Sequence, residues 1–293
     1  MSLPHIFYTR PTSNNACRVH LWLALSLFDD PSLSTKIECR NVTHSEQLDL
    51  TDNITSKIPL LMLPEDAPPG PRCVSESQII LDYLHTTFTP SKFTPPTPSH
   101  HALMAQIVRT HDLYIASPNS LSPPRNLHTQ SCLYIPPPAP GATRGVPIEL
   151  RAALLQDLFK ALRIINDLIA PEGDAPGGGY SLGEYYDGVT LADVTIYPTL
   201  INCVYYLEKV FGFDVVTGSE SDGGEGVAEG VGWLWKDLPR LHRVYLACER
   251  TLSDKGGAAF REAQMCERLD AVVAKVREDV RVNGGGMKWH NRC

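Results

Sequence analysis

The sequence predicts a chain of two unlike units: a small α/β unit with parallel and antiparallel strand pairs, followed by an all-helical one. Three observations carry this. Strand and helix signals alternate from His5 onward, four prolines crowd Thr86 to His100, and beyond them apolar residues recur only at helical spacing. At 293 residues and 43% hydrophobic content, the chain can bury a sizeable core in each unit. The predicted boundaries are 1–86 for the α/β unit, 87–100 for a linker, 101–282 for the helical unit and 283–293 for a disordered tail.

Each element has a local reason. Ile6-Phe7-Tyr8 is aromatic and β-branched, as strands are, and Pro11 to Asn15 follows with turn and helix-capping residues. Val19, Leu21, Trp22, Leu25 and Leu27 then give a helix one apolar face. Lys36 to Val42 alternates as a second strand, and Ile58 to Leu63 is a third that opens on a proline. Cys73-Val74-Ser75 forms a fourth beyond a Pro/Gly-rich turn, and Ile79, Ile80, Tyr83 and Leu84 mark a second helical face. In the second unit, segments 102–115, 149–169, 190–210, 238–252 and 260–280 carry helical periodicity. Ser117 to Pro147 reads as a long Pro-rich loop, functional or disordered, and Asp174 to Gly183 as a flexible Gly-rich connection. Gly218 to Gly230 reads as disordered. Thr190 and Asp193 have capping-box spacing, with Val189 and Val194 placed as its hydrophobic staple.

Composition narrows the function. A net charge of -7 without a basic stripe argues against a nucleic-acid partner. No run reaches about 18 apolar residues, so a membrane-spanning helix is not expected. The N-terminus lacks the charged and apolar regions of a signal peptide, which makes a cytoplasmic location the expectation. The eight cysteines are scattered with no C-x-x-C pair and read as reduced thiols. His100, His101 and His111 lack companions at ligand spacing, so no metal site is expected.

The stretch Asn53-Ile-Thr-Ser-Lys-Ile-Pro-Leu-Leu, continued by Val74-Ser75-Glu76-Ser77-Gln78-Ile79-Ile80-Leu81-Asp82-Tyr83-Leu84, resembles a pattern of the soluble glutathione transferases. The family pattern is N-P-x-x-K-[VI]-P-x-L followed by E-S-x-x-I-x-x-Y-L; this chain has Ile54 in place of its first proline and a longer hairpin between the halves. Tyr8 through Ser13 to Arg18-Val19 is similar to the family's first strand, catalytic turn and first helix. Val189 to Asp193 is similar to the start of its sixth helix. These anchors span roughly residues 5 to 200. The resemblance implies a thioredoxin-like first domain, an all-α helical-bundle second domain, glutathione as co-substrate, a small electrophile as second substrate and a homodimer.

It also implies roles for residues. In the family the proline corresponding to Pro59 is cis, and only an X-Pro bond adopts cis at small cost. Ile58 would then offer its N–H and C=O to the cysteinyl part of the extended tripeptide; an ordinary strand-start proline is the alternative. Ser77, opening a helix, can bind a carboxylate and Glu76 an ammonium, and a γ-glutamyl group carries both; a plain helix cap is the other reading. Ser13 stands five residues before Arg18, the register of the catalytic serine in zeta-like and tau-like classes. A hydroxyl there and the helix N-terminus both favour a thiolate, bringing a thiol down from about 8.5 toward neutrality. Asn14, where theta-like and delta-like sequences have their serine, and Tyr8 on the first strand are the alternatives. Glu46-Gln47 resembles the segment that reaches the glycine carboxylate of glutathione, and Lys57 the basic residue that precedes Ile-Pro in several classes; a solvated lysine is the other reading. His111, Tyr114 and Asn119 are expected to line the second-substrate pocket, while the pair His111-Asp112 otherwise reads as belonging to a helix surface. Cys17 lies one turn past Ser13, which favours thiol addition, or a maleylacetoacetate-isomerase-like isomerisation, over disulfide exchange. The long insertions leave a non-catalytic scaffold as the rival.

Overall fold

The structure is a computed structural model that describes residues 3–10, 13–42, 58–65, 72–116, 128–138, 145–171, 179–186, 188–211 and 232–254, with residues 276 and 278. Its α/β part runs β1 (His5–Thr9), α1 (Asn14–Asp29), the single turn α2 (Leu33–Lys36), β2 (Ile37–Asn41), β3 (Leu60–Met62), β4 (Cys73–Ser75) and α3 (Ser77–Phe88). The strands form one sheet in the order β2-β1-β3-β4. β1 pairs with β2 in parallel, as a crossover through α1 requires, and β3 runs antiparallel to both β1 and β4. Phe7 stands opposite Leu61, and Leu61 opposite Val74, so three buried side chains make one row across the sheet. Trp22 and Leu25 of α1 and Ile80 and Leu84 of α3 share a core with that row.

The helical part follows as α4 (Pro98–His111), a π turn over Asp112–Ala116, α5 (Ser131–Tyr134), α6 (Ile148–Leu168), a 3₁₀ turn at Gly183–Tyr185, α7 (Leu191–Phe211), α8 (Gly232–Asp237) and α9 (Pro239–Asp254). Thr97 caps α4 by accepting from the His100 N–H, and Pro98 fills the first helical position, where no donor is needed. α7 is the hub: α1 packs on it from the first domain, and α4, α5 and α9 from the second. The predicted helix at 260–280 lies almost wholly outside the described residues.

The proline-rich stretch between the domains is fastened at its centre. Phe93 is buried with its ring 6.5 Å from Trp22, the Leu191 N–H donates to the Phe93 carbonyl at 3.1 Å, and Lys92 reaches Asp29 and the Leu25 carbonyl, each at 2.5 Å. The stretch expected as one long loop after Ser117 also holds core. Thr129 to Leu133 are buried, and the fully buried Arg151 of α6 donates to the carbonyls of Cys132 at 2.5 Å, Ile135 at 2.9 Å and Val146 at 3.1 Å. Its guanidinium supplies donors that this irregular backbone cannot draw from a ladder.

The expected capping box is in place and larger than a box. Asp193 accepts from the Thr190 N–H at 2.8 Å and its hydroxyl at 2.7 Å, and also from the Ser181 N–H at 2.7 Å and its hydroxyl at 3.0 Å. The end of the Gly-rich connection is therefore pinned to the start of α7 rather than loose: Ser181 and Leu182 are fully buried.

Candidate functional site

A cavity of about 1050 Å³ opens between the two domains. Ile58 and Pro59 line it just before β3, Glu76 and Ser77 at the start of α3, Asn15 and Arg18 on α1, and Arg109 and Asp112 at the end of α4. Four of the residues expected to meet glutathione thus share one wall.

That wall is shaped by backbone. The Ile58–Pro59 bond is cis. Glu76 holds φ 69° and ψ 119°, a region that side-chain-bearing residues rarely adopt and that costs about 1–3 kcal/mol. Such an outlier persists when surrounding structure over-determines it, and here it turns the chain from β4 straight into α3. Ser77 is then the first residue of a 12-residue helix, with its side chain buried and its N–H among the donors a helix leaves unpaired at its N-terminus.

Ser13 is the residue before α1. Its N–H donates to the Arg10 carbonyl and its own carbonyl accepts from Cys17, both at 2.9 Å, while its hydroxyl makes no capping bond. The helix end thus has beside it a half-buried serine that does not cap it. Neither Ser13 nor Asn14 lines the cavity itself; Asn15, two residues beyond Ser13, does. Asn14 has both amide protons committed, to Gln130 Oε1 at 2.9 Å and Thr199 Oγ1 at 2.6 Å. Tyr8 lies on β1 with the Arg40 guanidinium 6.0 Å from its ring centre, and it does not line the cavity.

The opposite wall differs from the expectation. Ala105, Val108, Arg109, Asp112 and Ala116 fall at three- and four-residue steps along α4 and its π turn and face the cavity. His111 is turned away from that face: it is fully buried against α7, with Nε2 at 2.7 Å from Thr199 Oγ1. The His111-Asp112 pair is therefore not a helix-surface pair. Tyr114 is 54% exposed and lies off the cavity. Gln47, Lys57 and Asn119 lie outside the described residues.

An ion pair between α1 and the end of α4, which the sequence reading does not foresee, holds this wall. Arg18, 2% exposed, pairs with Asp112 at 2.8 Å and also donates to Asn15 Oδ1 at 3.2 Å. Desolvation pushes the Asp112 carboxyl upward, but the His111 N–H and the Arg18 guanidinium outweigh it and hold it at about 2. Asp112 also opens the π turn, a distortion common where a helix presents a functional group. Burial lowers the buried His111 below its ordinary value, and it lowers His128, which does line the cavity, to about 4; both imidazoles are neutral near pH 7. The signal for Arg18 was present in the sequence: one arginine inside the apolar run Ala16 to Leu23 needs a buried acceptor.

Compared by sequence, the chain matches no family model and shows no significant similarity to a curated protein. Compared by structure, it is similar to a maleylacetoacetate isomerase from Anaeromyxobacter dehalogenans with bound GSH in the active site. The TM-score is 0.54 at 19% identity, over 91% of this chain and 98% of that one. A possible glutathione S-transferase from Rhodopseudomonas palustris matches with TM-score 0.51 at 20% identity, over 85% and 95% of the two chains. A glutathione S-transferase from Pseudomonas fluorescens matches with TM-score 0.50 at 22% identity, over 84% and 94%. The small mixed sheet, the helical second domain and these likenesses over nearly the whole length agree: the chain has the fold of the soluble glutathione transferases and maleylacetoacetate isomerases.

Proposed function

We propose that the chain is a glutathione transferase that binds glutathione across the α3 wall, holds its sulfur as thiolate at Ser13 and adds it to a small electrophile. One observation carries the reading: Ile58, Pro59, Glu76 and Ser77 line a single cavity that reaches α1 at Asn15, two residues from Ser13, whose hydroxyl makes no capping bond. The γ-glutamyl carboxylate meets the N-terminus of α3 and the Ser77 hydroxyl, and its ammonium meets Glu76. The cysteinyl backbone pairs with Ile58. The thiol proton passes to solvent as the thiolate accepts a hydrogen bond from Ser13 and takes up the positive end of the α1 dipole. The sulfur pair then forms a bond to an electrophilic carbon, whose π pair or leaving group takes the displaced electrons. In this scheme Asn14 is structural, because its amide protons are already engaged by the second domain.

A second reading, glutathione-dependent isomerisation, draws on the fold shared with a GSH-bound maleylacetoacetate isomerase. There the thiolate adds to a double bond and leaves again, so the same residues serve.

Calorimetry of glutathione binding to the wild type and Ser13→Ala, with proton release recorded, tests the proposal. The expected result is binding in both, with proton release near neutral pH only in the wild type and a turnover loss of about a hundredfold or more in the variant. A wild type that fails to bind millimolar glutathione would leave the scaffold reading.

A further inference from the structure

A chain of buried hydrogen bonds runs beneath the turn that carries Ser13. Asn14 Nδ2 donates to Thr199 Oγ1 at 2.6 Å and to Gln130 Oε1 at 2.9 Å. Thr199 Oγ1 lies 2.7 Å from His111 Nε2, His111 Nδ1 lies 3.2 Å from Asp112 Oδ1, and Asp112 Oδ1 accepts from Arg18 Nη2 at 2.8 Å. Thr199 and His111 are fully buried, Gln130 is 1% exposed and Asn14 8%. Bulk water therefore does not substitute for these bonds.

The chain has a direction, fixed at its Arg18 end. Asp112, ionised beside the guanidinium, can only accept, so His111 carries its proton on Nδ1. A neutral imidazole then leaves Nε2 bare, and it accepts from the Thr199 hydroxyl. That hydroxyl has one proton, so toward Asn14 the oxygen is an acceptor. Asn14 is obliged to present its amide N–H groups to the second domain and to leave its carbonyl on the other side. That carbonyl is buried and without a hydrogen-bond partner among the described residues, which is the mark of an amide oriented by its nitrogen. One side chain next to Ser13 is thus held by a helix 185 residues later in the sequence.

We propose that Thr199 and His111 are positioning residues for Ser13: through Asn14 they fix the first turn of α1, so that the second domain sets the geometry in which the serine hydroxyl meets the thiolate. This rests on the reading of Ser13 given above. Neither residue touches the reacting atoms in this scheme, and neither lines the cavity.

The test combines kinetics with a measurement that needs no substrate. Thr199→Val keeps the shape of the side chain and removes the hydroxyl. It is expected to lower kcat by about tenfold, the worth of one buried hydrogen bond. The KM for glutathione should stay within about twofold, since the α3 wall is untouched. The same variant should raise the bound thiol's pKa, read from the pH profile of kcat/KM for the electrophile at saturating glutathione, and Thr199→Ser should restore both. In the Ser13→Ala background Thr199→Val should have no further effect, because a residue acting through Ser13 has nothing left to act on. An equal loss in both backgrounds, or an unshifted pH profile, overturns the proposal. Nitrogen-15 NMR of the histidines in the wild type reads the tautomer directly: an Nδ1–H imidazole at His111 is expected, and an Nε2–H tautomer overturns the chain whatever the kinetics show. A wild type without turnover overturns the transferase reading instead, and the tautomer then reports on the chain alone.

Discussion

The two walls of the cavity are built on different principles. The α3 wall is backbone: a cis Ile58–Pro59 bond, a residue at φ 69° and the open end of a helix. The α4 wall is side chains, and the bonds that hold it reach far along the sequence: Arg18 pairs with Asp112 across 94 residues, and behind the wall His111 meets Thr199 across 88. A backbone wall keeps its shape when a side chain is trimmed and loses only what that side chain gave a ligand. A side-chain wall leaves a buried charge or donor stranded when one member goes.

Asp112→Ala gives the largest expected effect. It strands the Arg18 guanidinium, and breaking a pair with one partner so buried costs about 3–5 kcal/mol in urea unfolding. Ser77→Ala on the other wall is expected to cost about 1 kcal/mol or less in stability and to weaken glutathione binding by about tenfold. Equal losses of stability from the two substitutions would break the comparison.

Acid sharpens the same contrast. Burial pushes His128, which lines the cavity, and His20, in α1, to about 4. Each folded value lies below that of the unfolded chain, so the unfolded state binds more protons at intermediate pH. The stability these neutral imidazoles represent is complete above about 6.5 and is lost as pH falls toward 4, about 2 kcal/mol for each by pH 4.5. Asp112 follows: its depressed value of about 2 makes its contribution complete above about 4 and lost as pH falls through 2. Urea midpoints at pH 7 and 4.5 for the wild type and His128→Gln check the first window. A flatter dependence in the variant is the expected outcome, and an unchanged slope would put the titrating groups elsewhere.

What was legible in the sequence follows the same line. β1, β4 and α3 were placed within a residue or two because alternation and helical spacing are local signals. Ile58, Pro59, Glu76 and Ser77 were read from motifs a few residues long and converge on one wall. On the other wall helix position misled. The sequence points to His111 and Tyr114 as pocket residues, whereas the face of α4 toward the cavity carries Ala105, Val108, Arg109 and Asp112. The prolines between Ser117 and Pro147 masked the buried run Thr129 to Leu133, because its donor, Arg151, belongs to a later helix. Thr199 could not be singled out within an apolar helix, since nothing local marks a hydroxyl whose partners come from α1 and α4.

The smallest expected effect separates conformation from chemistry at a single residue of the backbone wall. Glu76 combines an exposed carboxylate with a backbone angle that disfavours any side chain. Glycine lacks the Cβ that makes φ 69° costly, but it also gives the unfolded chain more freedom. The strain of about 1–3 kcal/mol exceeds the entropic loss of about 0.5–1 kcal/mol, so Glu76→Gly is expected to stabilise the fold by about 1 kcal/mol. Removing the carboxylate should at the same time weaken glutathione binding, with most of the loss in the contact to the ammonium. Glu76→Gln is the control: it keeps the Cβ and the strain, leaves stability within about 0.5 kcal/mol, and loses the charge alone. A glycine variant that binds as tightly as the wild type would mean that Glu76 serves the turn into α3 and not the ligand. A glycine variant that binds weakly yet unfolds no later than the wild type would mean that the sheet and α3 hold this angle without strain.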